Sequence, residues 1–139
     1  MEPTAILWPM LAMMTLTLTV TGALGLARNI ALKKGTVSLR VFETFSVPGE
    51  TGRLLAMRRN LANLYELPTI FVALCLTAFV AGLVNEVLVG LAWAFVASRA
   101  VHSAIHVTTN NVLHRFLAFV TGVTLVLVML VLVAVRLAG

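Results

Sequence analysis

One stretch of the chain, residues 116–135, reads FLAFVTGVTLVLVMLVLVAV and contains no charged side chain. Twenty residues in a helix rise about 30 Å, which matches the hydrocarbon thickness of a bilayer. Residues 4–27 and 67–84 form two more uncharged stretches, and another apolar stretch begins at Val87. We therefore predict an all-α bundle of four membrane-spanning helices, at roughly residues 4–32, 50–84, 87–107 and 111–137.

The composition also indicates a membrane protein, organised as a single domain over residues 1–139. Hydrophobic residues make up 60% of the chain and charged residues 11%, against about 45–50% and about 25% in soluble domains. So few polar side chains cannot cover a water-soluble globule. The net charge of +5 would suggest nucleic acid for a soluble protein, but in a membrane chain it is first an orientation signal. We predict no nucleic-acid partner.

The basic residues indicate how the chain crosses the membrane. Seven of the ten lie between the first two apolar stretches, namely Arg28, Lys33, Lys34, Arg40, Arg53, Arg58 and Arg59. By the positive-inside rule this long first loop is cytoplasmic and both termini are outside, although Arg136 counts weakly against this orientation. Pro48, Gly49 and Gly52 interrupt the loop, so helix two is expected to begin near residue 50.

The first apolar stretch, residues 4–27, has two competing interpretations. A secretory signal peptide is disfavoured because the stretch is too long and lacks a basic segment before it. Threonines at alternate positions, 15 to 21, imitate a β-strand. Threonine hydroxyls can bond back to the preceding helical turn, however, so we predict a helix.

Polar residues interrupt helices two and three, although an ionisable group at the bilayer centre costs at least about 2.5–3.5 kcal/mol. By their spacing, two sets of three share one helix face each. They are Arg59, Asn63 and Glu66 on helix two, and Arg99, His102 and His106 on helix three. Counted along the helices, the sets lie at overlapping depth in the cytoplasmic half. We expect them to face each other or a water-filled cleft.

The start of helix four adds a third polar element. Asn110 or Asn111 can cap this helix, and Arg115 stands in its first turns. Free amide groups, the positive helix end and an arginine together favour an anion.

Simpler interpretations of these residues remain open. Arg59 and Arg115 could be interfacial anchors whose charges reach lipid phosphates. Glu66 and Arg99 could form a purely structural ion pair. The two histidines have no further ligand placed to complete a four-coordinate site, so we predict no metal.

Three motifs in these elements resemble a known family. They are Arg59-x-x-x-Asn63-x-x-Glu66-x-Pro68, Arg99-x-x-His102-x-x-x-His106 and Asn110-Asn111-Val112-Leu113-His114-Arg115-Phe116. The sequence resembles the membrane-associated proteins in eicosanoid and glutathione metabolism (MAPEG), which include microsomal glutathione transferases. The resemblance implies a bacterial inner-membrane protein that forms a homotrimer. It also implies that glutathione, the cosubstrate, binds in clefts between subunits that open to the cytoplasm.

The resemblance further implies a role for each matching residue. Arg115 would face the sulfur and stabilise the thiolate, because a free thiol of pKa about 8.5 is largely protonated at neutral pH. The other residues would bind glutathione: Arg59, Asn63, Glu66, Arg99, His102, His106 and, by position only, Arg28. The sequence departs from better-characterised members at Leu67 and His106, where those members carry tyrosines.

These observations lead to one functional prediction and one alternative. We predict a membrane-bound glutathione transferase or peroxidase-like enzyme that detoxifies lipophilic electrophiles drawn from the membrane lipids. The alternative is a non-catalytic bundle of the same fold that binds a lipid or another small anion. A small transporter is disfavoured because helix one lacks acidic residues and no inverted repeat is visible.

Overall fold

The computed structural model describes residues 2–38 and 52–139, which form four long helices. A short 3-10 turn, Pro3–Ile6, precedes the first helix. The helices are α1 (Leu7–Lys33), α2 (Arg53–Val80), α3 (Glu86–Val107) and α4 (Val112–Ala138). Each is long and apolar enough to cross a membrane. The prediction of an all-α fold with four helices able to span a membrane is therefore confirmed.

The helices pack around the pair formed by α2 and α3. Helix α1 contacts both members of this pair, and α4 does the same on the other side, with its most extensive contact on α3. Phe71 and Phe95 stack at the centre with their ring centroids 4.4 Å apart. Cys75 and Ala92 are fully buried nearby. Apolar side chains on the outer faces remain exposed on the single chain, as expected for surfaces that meet lipid or another subunit.

Helix α2 is shorter than predicted at its C-terminal end. It ends at Val80 rather than residue 84, because Gly82 adopts a left-handed conformation with φ of +67°. The amide groups of Gly82 and Leu83 then donate to the carbonyls of Phe79 and Ala78, which is a Schellman ending. The predicted start near residue 50, the Pro48-Gly49 turn and Arg40 lie outside the described residues. At 28 residues, α2 is about 42 Å long and still exceeds the bilayer thickness.

Side-chain caps fix the starts of the last two helices. The side chain of Asn85 accepts hydrogen bonds from the amides of Val87 and Leu88. Asn111 accepts one from the amide of His114, so Asn111 rather than Asn110 caps α4. These caps place the start of α3 at Glu86 and that of α4 at Val112, each one residue from the prediction.

The threonines of α1 behave as the helix prediction requires. Thr15, Thr17, Thr19 and Thr21 each donate their hydroxyl to the carbonyl four residues earlier. Their polar atoms are therefore satisfied within the helix, where a bilayer offers no water.

Candidate functional site

A cavity of about 430 Å³ lies between α2, α3 and α4. It sits near the first turns of α2 and α4 and the last turns of α3, so it is close to one end of the bundle. Its lining residues are Arg59, Ala62 and Asn63 from α2, His102 and His106 from α3, and Val112, Arg115, Phe116 and Phe119 from α4. Five of the residues singled out in the sequence thus meet in one place.

The cavity lining is cationic on one side and aromatic on the other. Arg59 and Arg115 contribute positive charge, and none of the nine lining residues is acidic. Phe116 and Phe119 supply apolar surface beside these charges. Such a cavity suits a small anion that carries or meets an apolar group.

The two histidines form the inner wall of the cavity. Both are almost fully buried, at 3% and 2% exposure, and their ring centroids are 5.4 Å apart. His102 Nδ1 lies 3.1 Å from the carbonyl oxygen of Arg115. Because a carbonyl only accepts, Nδ1 carries the hydrogen in this bond. His102 Nε2 and His106 Nδ1 are buried and have no hydrogen-bond partner among the described residues, which is unusual for buried polar atoms.

Arg115 lies at the junction of α3 and α4. Its Nη1 donates to the side-chain oxygen of Asn110 at 2.7 Å. The residue stands in the first turn of α4, where the positive end of the helix adds to its own charge. Arg115 is half-buried and lines the cavity.

Arg99 does not line the cavity, contrary to the expectation from its spacing with the histidines. It is fully buried, and its Nη2 donates to the carbonyl of Ala118 at 2.7 Å, with a longer contact of 3.4 Å to that of Phe119. The guanidinium also lies 5.7 Å and 5.6 Å from the ring centroids of Phe95 and Phe119. Arg99 therefore joins α3 to the backbone of α4.

Gly122 on α4 makes room for this guanidinium. A Cβ atom at Gly122 would lie 2.6 Å from Arg99 Nη2 and 2.9 Å from its Cζ. Any larger side chain would therefore collide with the arginine. Gly122 and Arg99 are thus complementary in shape.

Glu66 and Arg28 also lie outside the cavity. Glu66 is exposed on α2, and Arg28 is half-buried on α1, a helix that contributes nothing to the lining. The alternative of a structural ion pair between Glu66 and Arg99 is not formed, since Arg99 hydrogen-bonds only carbonyl groups within the described part of the chain. Over residues 2–38 and 52–139, no three His, Cys, Asp or Glu side chains cluster as metal ligands would.

A buried polar pair that sequence reasoning missed connects α2 and α3 behind the cavity. The hydroxyl of Ser103 donates to Oδ1 of Asn60 at 3.1 Å, and both residues are buried. Asn60 follows Arg59 and Ser103 follows His102, so each belongs to the turn that carries a cavity residue. The only signal in the sequence is that each of them directly follows a residue of the polar helix faces.

The fold and the cavity together define a small integral membrane protein with a cationic site between its helices. A family model described as the MAPEG family matches residues 6–135, nearly the whole chain. The protein belongs to the MAPEG family, which includes glutathione transferases. None of the curated proteins and none of the solved structures matches the chain.

Proposed function

We propose that this protein is a membrane-bound glutathione transferase or peroxidase-like enzyme that acts on lipophilic electrophiles. In conjugation, the glutathione sulfur bonds the electrophilic carbon. In a displacement, the electron pair of the broken bond departs with the leaving group. In a conjugate addition, the displaced electron pair takes up the proton that the thiol released. In peroxide reduction, two glutathiones form a disulfide, while the hydroperoxide becomes an alcohol and water.

The observation that carries the proposal is the charge and composition of the cavity. Glutathione has two carboxylates, one ammonium and one thiol, so it is an anion near neutral pH. Arg59 and Arg115 offer forked donors that stay charged, and Asn63 adds a neutral polar group. His102 Nε2 and His106 Nδ1 are buried and unpaired in the described chain, so they would bond further polar atoms of the peptide only if its binding exposed them.

Arg115 is the proposed stabiliser of the thiolate. A cation at the positive end of α4 favours the charged form of a nearby sulfur and so lowers the pKa of the glutathione thiol. The thiolate is the nucleophilic form, so a larger thiolate fraction means faster reaction. Phe116 and Phe119 would receive the apolar electrophile beside it.

Glu66, Arg99 and Arg28 have different places in this proposal. Glu66 is exposed on the protomer, so its contact with the glutathione ammonium requires the peptide to extend beyond the cavity. In the proposed homotrimer, a neighbouring subunit would close that space, and Arg28 would contribute at the same boundary. Arg99 would act by holding α3 against α4 rather than by touching glutathione.

The proposed orientation agrees with the supply of glutathione. The cavity lies at the bundle end that carries Lys33, Arg53 and Arg58. By the positive-inside rule this end faces the cytoplasm. In a bacterial inner membrane, the site would then open toward the compartment that holds the thiol, while lipophilic substrates arrive through the bilayer.

The test compares two arginines of α4 in purified protein in detergent. Glutathione binding is measured by calorimetry, thiolate by its ultraviolet absorbance, and turnover with a generic aryl halide. We expect the unmodified protein to show all three, and Arg115→Ala to lose the thiolate signal and turnover. Arg136→Ala, an exposed change in the last turn of the same helix, should keep both.

Two outcomes would contradict the proposal. Absence of glutathione binding and of the thiolate signal in the unmodified protein would exclude a glutathione-dependent enzyme. Binding without turnover, unaffected by Arg115→Ala, would instead support the non-catalytic, anion-binding alternative.

A further inference from the structure

Asn110 is held in an unusual backbone conformation between α3 and α4. Its φ is 49°, and it is the only non-glycine residue with positive φ in residues 2–38 and 52–139. Three other positions in the described chain have positive φ, and all are glycines beside a helix end: Gly35, Gly52 and Gly82. Glycine adopts this conformation without a steric penalty, whereas asparagine only tolerates it. The presence of asparagine rather than glycine at position 110 therefore needs an explanation.

That explanation lies in its contact with Arg115. The Oδ1 atom of Asn110 accepts from Nη1 of Arg115 at 2.7 Å, while the backbone amide of Asn110 donates to the carbonyl of Ile105, also at 2.7 Å. The second bond fixes the turn, so the carboxamide is anchored to the end of α3. A guanidinium held by this anchor loses much of its rotational freedom.

The chemistry of the anchor matters as much as its position. A carboxamide oxygen bonds the guanidinium without a countercharge, so Arg115 keeps its full positive charge. It also occupies one of five guanidinium N–H groups and leaves the others for an anion. An aspartate at position 110 would offer the same oxygen but would neutralise Arg115 and compete with any thiolate.

We propose that Asn110 is a positioning residue that holds the guanidinium of Arg115 at the cavity without neutralising it. This inference rests on the proposed function, because it assigns the reason for the contact to thiolate stabilisation by Arg115. Asn110 does not line the cavity with Arg115 and lines instead a neighbouring cavity of about 440 Å³, so it contacts the arginine without being part of the lining that would meet the proposed ligand.

The experiment uses three variants of the full chain and measures the pH midpoint of the bound thiolate absorbance. Asn110→Gly keeps the left-handed backbone but removes the anchor, and Asn110→Asp keeps the anchor but adds a charge. We expect Asn110→Asp to raise the midpoint by about one pH unit, which is about tenfold less thiolate at a fixed lower pH. Asn110→Gly should raise it by a smaller amount. Asn111→Ser, which keeps a capping side chain, should leave it unchanged.

A role limited to the turn would give a different result. In that case Asn110→Gly would match or exceed the thermal stability of the unmodified protein and keep its midpoint. An unchanged midpoint in Asn110→Gly, with thiolate present in the unmodified protein, would therefore overturn this inference and leave the proposed function intact, whatever the midpoint of Asn110→Asp. Absence of bound thiolate in the unmodified protein would overturn both.

Discussion

Gly122→Ala would place a methyl group where the guanidinium of Arg99 lies. The new Cβ would be 2.6 Å from Nη2, whereas unbonded heavy atoms prefer about 3.5–4.0 Å. The guanidinium must therefore retreat by roughly 1 Å, and we expect this shift to break its 2.7 Å bond to the carbonyl of Ala118. A bond from a charged group contributes about 1.5–3 kcal/mol and overpacking costs about 1–3 kcal/mol. Alanine recovers about 1 kcal/mol of helix propensity, so we expect a net loss of about 1.5–5 kcal/mol.

The loss is measurable by unfolding the detergent-solubilised protein with increasing denaturant while following helix content. Gly90→Ala on α3 is the matched control, because a Cβ at Gly90 would meet nothing within 4 Å. It should be neutral or stabilising. Repeating Gly122→Ala in an Arg99→Met background completes a double-mutant cycle, and the methyl group should cost less there because the guanidinium is gone.

Two results would refute this reasoning. The first is a difference of less than about 0.5 kcal/mol between Gly122→Ala and Gly90→Ala, which is within the usual range of neutral substitutions. The second is an equal cost of Gly122→Ala with and without Arg99, since a shape-complementary pair must show coupling.

Three further predictions concern a buried hydrogen bond, a helix cap and the orientation of the protein in the membrane. Ser103→Ala leaves the buried oxygen of Asn60 unpaired and should lower the free energy of unfolding by about 1–3 kcal/mol. Adding Asn60→Leu should recover part of the lost stability, and no recovery would contradict the pairing. Asn111→Ala removes the cap of α4 and should lower the free energy of unfolding by about 1 kcal/mol, whereas Asn111→Ser should lower it by less. Equal losses of stability in the two variants would argue against the cap. The orientation can be tested with an impermeant maleimide applied to intact cells that express variants made in a cysteine-free background. It should label Glu86→Cys but not Lys34→Cys, and labelling of Lys34→Cys alone would contradict the proposed orientation.

The four helices were predictable because length and apolar composition alone determine whether a segment can span a bilayer. Their ends depend on local chemistry, which the sequence shows less clearly. The caps at Asn85 and Asn111 fit the ordinary preference of asparagine for a helix start. The apolar stretch predicts an end of α2 four residues later than the observed one, because Gly82 stops the helix before the stretch ends.

The cavity could be predicted from the sequence only in part, because the spacing of residues gives a direction around one helix but does not show what lies opposite. Arg59 and Asn63 do share a cavity with the two histidines and Arg115. By its spacing, Arg99 shares a helix face with the two histidines. Its guanidinium nevertheless turns to α4, where Gly122 leaves space. The space beside Gly122 on α4 and the buried bond between Asn60 and Ser103 both depend on how two helices pack together. The residue pattern of a single helix does not contain this information.

The bonds from Arg99 to the backbone of α4 also affect how the chain enters the membrane during synthesis. Helix α3 leaves the ribosome first and carries a guanidinium whose acceptors, the carbonyls of Ala118 and Phe119, have not yet been made. Alone in lipid, this charge would cost about 2.5–3.5 kcal/mol or more. Helix α4 is the most apolar of the four and follows after only four residues. The two helices are therefore suited to insert together as a hairpin, so that a ribosome stalled before α4 would leave α3 poorly retained in the bilayer.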